Sequence, residues 1–183
     1  MTAALIILIV VALIVLWFIK VQRTLVNKDE LCKNALSQIG VQQNSRWDAL
    51  TGLVELIKSY NEHEYNTLKD VISARKQLSA DSSVEDIQAA ENGIANAMKQ
   101  INVVLEQYPD LKASENYQKA MESVNQYENL VRTSRMVYND TVTNYNKVVR
   151  QFPDSIVAGM LHFDAKSYLQ EPQGKTDMPS LKI

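Results

Sequence analysis

The sequence predicts an all-α chain: an N-terminal transmembrane helix followed by an antiparallel up-and-down bundle of three to four long helices. Three observations lead there. The run Thr2–Ile19 holds no charged residue. Beyond it, large apolar residues recur at alternating steps of three and four, the spacing of one helix face. With 5 Gly and 4 Pro in 183 residues, and no proline before Pro109, turn residues are too scarce for a sheet of short strands. On this reading the chain divides into a membrane anchor (1–20), a helical-bundle domain (21–163) and a C-terminal tail (164–183).

The first element is the anchor. Its eighteen uncharged residues, at a helical rise of about 1.5 Å each, span about 27 Å, close to the hydrocarbon thickness of a bilayer. Leu5, Ile9, Leu13, Leu16, Trp17 and Phe18 are its anchoring side chains. A cleaved signal peptide fits less well, because no Lys or Arg precedes the run and it ends in Trp17-Phe18-Ile19-Lys20 instead of small residues. A helix of a soluble core would be shorter and carry a polar stripe. Lys20, Arg23, Lys28 and Lys33 all follow the span and no basic side chain precedes it. The positive-inside tendency therefore places the N-terminus outside and the bundle in the cytoplasm, in a single-pass protein of the cell (inner) membrane.

From Lys20 to Leu78 there is no proline and only Gly40 and Gly52 interrupt, so one long helix is expected, open to a bend at either glycine. Its seam is Leu36, Ile39, Leu50, Leu53, Ile57, Tyr60, Val71 and Leu78. Ala80-Asp81-Ser82-Ser83 breaks the pattern, and Ser83 or Ser82 can cap a second helix ahead of Glu85 and Asp86. That helix carries Val84, Ile87, Ile94, Met98, Ile101, Leu105 and Tyr108, with Glu91 out of character. Pro109 ends it, and Ser114 can cap a third helix bearing Tyr117, Met121, Val124, Val131, Tyr138, Val142, Tyr145, Val149 and Phe152. Pro153 closes that one. Asp154 can start a short helix through Met160, and the remaining residues hold too little apolar surface to pack alone.

The stripes also contain Arg46, Glu64, Arg75, Glu91, Glu128 and Arg135, whose desolvation is costly unless opposite charges meet. If the chain reverses near residues 80 and 110, Arg75 and Arg135 lie level, with Glu91 and Glu128 one to two turns away. These four would form a buried, structural cluster that sets helix register. The competing reading is that heptad edges are partly exposed and the long side chains reach water.

Charge and composition exclude several functions. With 19 Lys and Arg against 21 Asp and Glu, the net charge is -2, so no nucleic-acid partner is expected. Cys32 is the single cysteine and can supply neither an internal disulfide nor a zinc site; beside the membrane it fits a small apolar residue better than a lipidation site. His63-Glu64 lacks the second histidine of a zinc-protease helix, since position 67 is Thr67. No phosphate loop, dinucleotide fingerprint or serine elbow occurs. No catalytic residue, metal, cofactor or small-molecule substrate is therefore expected. Tyr138-Asn139 and Tyr145-Asn146 repeat at seven residues, with Tyr as core and Asn as a polar group facing a neighbour.

Further residues carry a resemblance to a known family. Ala35, Ser37-Gln38-Ile39, Val41-Gln42, Arg46, Asp48, Leu53-Val54-Glu55, Lys58, Tyr60 and His63-Glu64 stand at its spacing. So do Ala74-Arg75, Tyr108-Pro109-Asp110-Leu111-Lys112-Ala113, Glu128, Arg135, both Tyr-Asn pairs, Phe152-Pro153, Val157-Ala158-Gly159-Met160 and Phe163. The chain resembles the bacterial LemA family, departing from it at Leu36, Gly40 and Thr51-Gly52. The resemblance implies a four-helix up-and-down bundle behind a membrane anchor and no enzyme activity. The expected function is a non-catalytic membrane scaffold that self-assembles into a homo-oligomer on the lipid bilayer. The alternative is a membrane-tethered adaptor or regulator binding a protein partner such as a protease or signalling component.

Overall fold

The computed structural model describes residues 1–60, 68–70, 72–73 and 75–170, the side chain of Tyr60 apart. His63, Glu64, Thr67, Val71, Ala74 and the tail beyond Gln170 lie outside the described residues. The helices whose bounds fall among the described residues are α1 (Thr2–Tyr60), α2 (Val84–Gln107), α3 (Pro109–Ala113), α4 (Glu115–Arg150) and α5 (Asp154–Met160), and residues 68–70 and 72–73 are helical as well. Among the described residues there is no strand, and the fold is all-α as the sequence predicts. α1 runs through Gly40 and Gly52 without interruption.

The chain forms two compact units. The first comprises Met1–Ala35 and Met136–Tyr168. Here α1 begins with exposed apolar residues, Leu5 to Leu16, and becomes half-buried at Trp17 and Phe18. Val21, Leu25, Cys32 and Ala35 are buried at helical spacing. α4 lies antiparallel to this stretch: Thr141 lies beside Cys32, and Val148 and Val149 further on pack with Trp17, Phe18, Val21 and Leu25. α5 adds Val157 and Ala158 to the same cluster.

Past α5 the chain reverses through His162, which takes φ 58°, and climbs back along α4. Tyr145 Oη donates to the Asp164 carbonyl (2.9 Å) and Tyr138 Oη to that of Ser167 (3.0 Å). The Asn146 side chain binds both backbone groups of Lys166, donating at 2.9 Å and accepting at 2.8 Å. Residues 164–168 are thus held, where the sequence suggested an unpacked tail. The apolar content is indeed small; hydrogen bonds to the main chain substitute for it. Phe152 departs from expectation too. The sequence placed it on the α4 seam, but α4 ends at Arg150, and Phe152, in the reversal, is 78% exposed.

The second unit is Leu36–Arg135, with Leu169 and Gln170. Its described elements alternate in direction. Arg75 lies beside Asp48 and Leu78 beside Asn44, so the segment 75–79 runs antiparallel to α1. α2 then runs with α1, Ile87 near Gly40 and Gly93 near Trp47. Trp47, Leu50, Leu53, Ile57, Ile94 and Ile101 are the centre of the core, joined by Tyr117 and Val124 of α4. Each fully buried aliphatic side chain contributes about 2 kcal/mol. The long seam to Leu78 is not one helix, since residues 75–79 are non-helical. The Asn44 amide donates to the Leu78 carbonyl (2.9 Å) and accepts from its N–H (3.2 Å), satisfying backbone that a helix would have satisfied internally. This approach brings the Leu78 side chain against Gly40, where an added Cβ would stand at ordinary van der Waals distance, 3.5 Å, from the Leu78 Cβ.

The start of α2 follows the sequence reading closely. Ser83 Oγ accepts from the Asp86 N–H (3.1 Å), and the Asp86 carboxylate accepts from the Ser83 N–H (3.0 Å), a reciprocal capping box. Ser114 accepts from the Tyr117 N–H (3.3 Å) and so caps α4. The Lys76 ammonium and then the Ser83 donors hold the Asp86 carboxyl down at about 2. We expect Ser83→Ala to cost about 1 kcal/mol in thermal or urea unfolding. A carboxyl whose folded value is depressed stabilises above its ordinary value and loses that stabilisation as pH falls. The stability gap between wild type and Asp86→Asn should therefore be constant above pH about 4 and close on the way down to about 2.

Candidate functional site

The second unit buries an ionic cluster. Arg46, on the inward seam of α1 between Gln43 and Leu50, has a side chain only 6% exposed. Its Nη1 donates to Glu91 Oε1 of α2 (3.1 Å), and its Nη2 to Glu128 Oε2 of α4 (3.1 Å). Gln43 Nε2 donates to the other Glu91 oxygen (2.6 Å). Arg135 Nη1 lies 4.0 Å from that oxygen, and its guanidinium also donates to the Gln170 carbonyl. Two acids face two guanidiniums, so the cluster is electrically balanced. It draws α1, α2 and α4 to one depth, and every charged member is engaged by another.

Of the four charges grouped from the sequence, the structure brings together Glu91, Glu128 and Arg135. Arg75 is elsewhere. It pairs with Asp48 (2.6 Å) at the surface, where the Asp48 side chain is 68% exposed, and donates to the Asn44 carbonyl (3.3 Å). Heptad phase does not govern residue 75, which sits in the non-helical return segment. Its place in the cluster belongs to Arg46, with Gln43 as a further donor. Both interrupt the apolar seam of α1 between Ile39 and Leu50, and that polar gap was the available signal.

In the first unit the anchor residues Leu5, Ile9, Leu13 and Leu16 are exposed, and Trp17 and Phe18 are half-buried against α4 and α5. This end of α1 is long and apolar enough to cross a membrane. Asp29 sits beyond it, bridged by Lys166 (2.8 Å) and Lys33 (2.9 Å). Burial alone would raise its carboxyl, but the hydrogen bonds from Lys166 and Lys33, with their charges, bring it below the ordinary value. Burial, and then the nearby Asp29, push the Tyr145 phenol up to about 12, which keeps it a donor to the Asp164 carbonyl. The Lys166 ammonium lies 5.3 Å from the Tyr145 ring centre. Cys32 is buried, and desolvation pushes its thiol up, the setting of an unreactive packing residue. Among the described residues no three His, Cys, Asp or Glu side chains are grouped so as to hold a metal.

Comparison with known proteins gives the family. Residues 35–182 match the LemA family, as the sequence resemblance implied. The chain is similar to magnetosome protein MamQ 2 of Paramagnetospirillum magneticum, with 32% identity over 88 residues, 48% of this chain and 32% of that protein. It is 26% identical to magnetosome protein MamQ of Magnetospirillum gryphiswaldense over 95 residues, 51% and 35% of the two chains. It is 27% identical to protein LemA of Metamycoplasma hominis over 133 residues, 70% and 59% of the two. The chain thus spans about a third of the length of the magnetosome proteins it matches.

The geometry ranks the cluster's members. Glu91→Ala should cost about 3 kcal/mol, because it removes the more buried of the two carboxylates on Arg46 and the acceptor of the Gln43 amide in the core. Glu128, one-third exposed, is partly screened by solvent, and its alanine variant should cost about 1 kcal/mol. Arg75→Ala should stay within about 0.5 kcal/mol for its surface ion pair. Thermal or urea unfolding of the detergent-solubilised chain measures all three.

Proposed function

Because the chain belongs to the LemA family, we propose that it is a non-catalytic, single-pass membrane scaffold that self-associates into a homo-oligomer at the inner membrane. The observation that carries this reading is the character of α1. An exposed apolar stretch of membrane-spanning length continues, within one helix, into residues that build a helical core. The charges buried in that core neutralise one another, an arrangement suited to fixing structure.

Apolar positions left open on the helices beyond the span support self-association: Val26 and Leu31 on α1, and Leu130, Met136 and Val137 on α4. The positive-inside pattern of Lys20, Arg23, Lys28 and Lys33 supports a cytoplasmic body and an external N-terminus. An adaptor that presents the same positions to a different protein is the second reading.

Size measurement separates the two. Chemical crosslinking in native membranes, followed by sizing in mild detergent, should give a ladder of multiples of the 20.7 kDa chain. A chain that stays monomeric through both steps would remove the scaffold reading and leave the adaptor.

A further inference from the structure

The course of the chain in the first unit singles out one turn. α4 runs towards the apolar end of α1: Thr141 is at Cys32, and Val148 and Val149 share a cluster with Trp17, Phe18, Val21 and Leu25. After α5 the chain climbs away again, its Asp164 carbonyl at Tyr145 and its Ser167 carbonyl at Tyr138. Among the described residues of the C-terminal half, 151–161 therefore lie beside the end of the span. Val21 and Leu25, against which α5 packs, lie two and six residues beyond Ile19, about 3 and 9 Å along the helix axis.

This same turn exposes its largest apolar side chains. Phe152 is 78% exposed, Ile156 51% and Met160 65%. They are spaced at four residues, and the α5 pair therefore shares one helix face. Leaving such side chains in water is unfavourable, and inserting them at the boundary of head groups and acyl chains removes that cost. The flanking charges fit an anionic lipid surface. Lys20 and Arg23 of α1 and Lys147 and Arg150 of α4 are exposed around the turn, against Asp154 and Asp164. Trp17 and Phe18, the half-buried aromatics that close the span, belong to the cluster holding α5, so the turn is packed against the last residues of the span.

We propose that the α4–α5 reversal is seated in the interfacial layer of the bilayer that α1 crosses, giving the protein a second lipid contact through Phe152, Ile156 and Met160. This rests on the reading of α1 as a membrane span. The contact ties the end of α4 to the surface, so that the unit is held at two points and cannot swivel freely about the anchor.

The test uses the full chain in vesicles of phosphatidylethanolamine and phosphatidylglycerol. In a Cys32→Ala background, Ile156→Cys, Met160→Cys and, as a control, Asp140→Cys are each labelled with an environment-sensitive nitrobenzoxadiazole dye. Asp140 is a polar, exposed residue on α4 of the same unit, about 15 Å along that helix from its end. Matching circular dichroism establishes that each variant folds. The dye at positions 156 and 160 should emit to the blue and be quenched by lipids carrying a nitroxide near the head group, while that at 140 is unaffected. Dyes at 156 and 160 as water-exposed as that at 140, in a chain that resists alkaline extraction, would overturn the inference and leave the anchor standing. A blue shift without quenching by lipid would mean that protein covers the turn, which also overturns it. Release of the chain by alkaline extraction would remove the anchor reading and the inference together.

Discussion

The burial of Arg46 constrains the second unit more than any other single feature. A guanidinium 6% exposed must find its counter-charges within the protein, because the desolvation of an unpaired cation exceeds what apolar packing around it returns. Glu91 of α2 and Glu128 of α4 can reach it only when both helices stand at one height against α1. Apolar residues at heptad spacing tolerate a slip of one repeat; charged ones in the same seam do not. The isoleucines at 87, 94 and 101, all buried, supply the adhesive surface. The acid between them selects which register that surface adopts.

A second device recurs in both units. Where the chain leaves helical conformation, a helical asparagine meets it with both halves of its amide: Asn44 at Leu78, and Asn146 at Lys166. Each amide offers one donor and one acceptor to an N–H and a carbonyl that have no helical partner, so a short irregular segment lies against a helix without orphaned backbone. The phenols of Tyr138 and Tyr145 extend the same treatment to neighbouring carbonyls.

What could be read in the sequence was what local chemistry determines. The apolar first stretch of α1, the Ser83 cap, the breaks at Pro109 and Pro153, and the short helix from Asp154 to Met160 each depend on a few adjacent residues. Glu91, Glu128 and Arg135 could be grouped because helical phase carries over long distances in α2 and α4. Arg75 could not be placed, since no Gly or Pro between Tyr60 and Arg75 marks a break ahead of the non-helical segment 75–79. The hold on residues 164–167 was half legible. The Tyr-Asn pairs read as core rings with polar groups turned to a neighbour, but a heptad stripe does not say that the neighbour is the main chain of the segment after α5.

That hold has a consequence for how the protein can vary. The side chains of Asp164, Ala165 and Ser167 are exposed, and the grip on this stretch is taken through its carbonyls and one N–H. Nearly any amino acid could stand at these three positions without loosening it. Lys166 is the exception, because its ammonium answers Asp29. The selective burden falls instead on the gripping side, on two hydroxyls and one carboxamide far from the segment whose path they dictate.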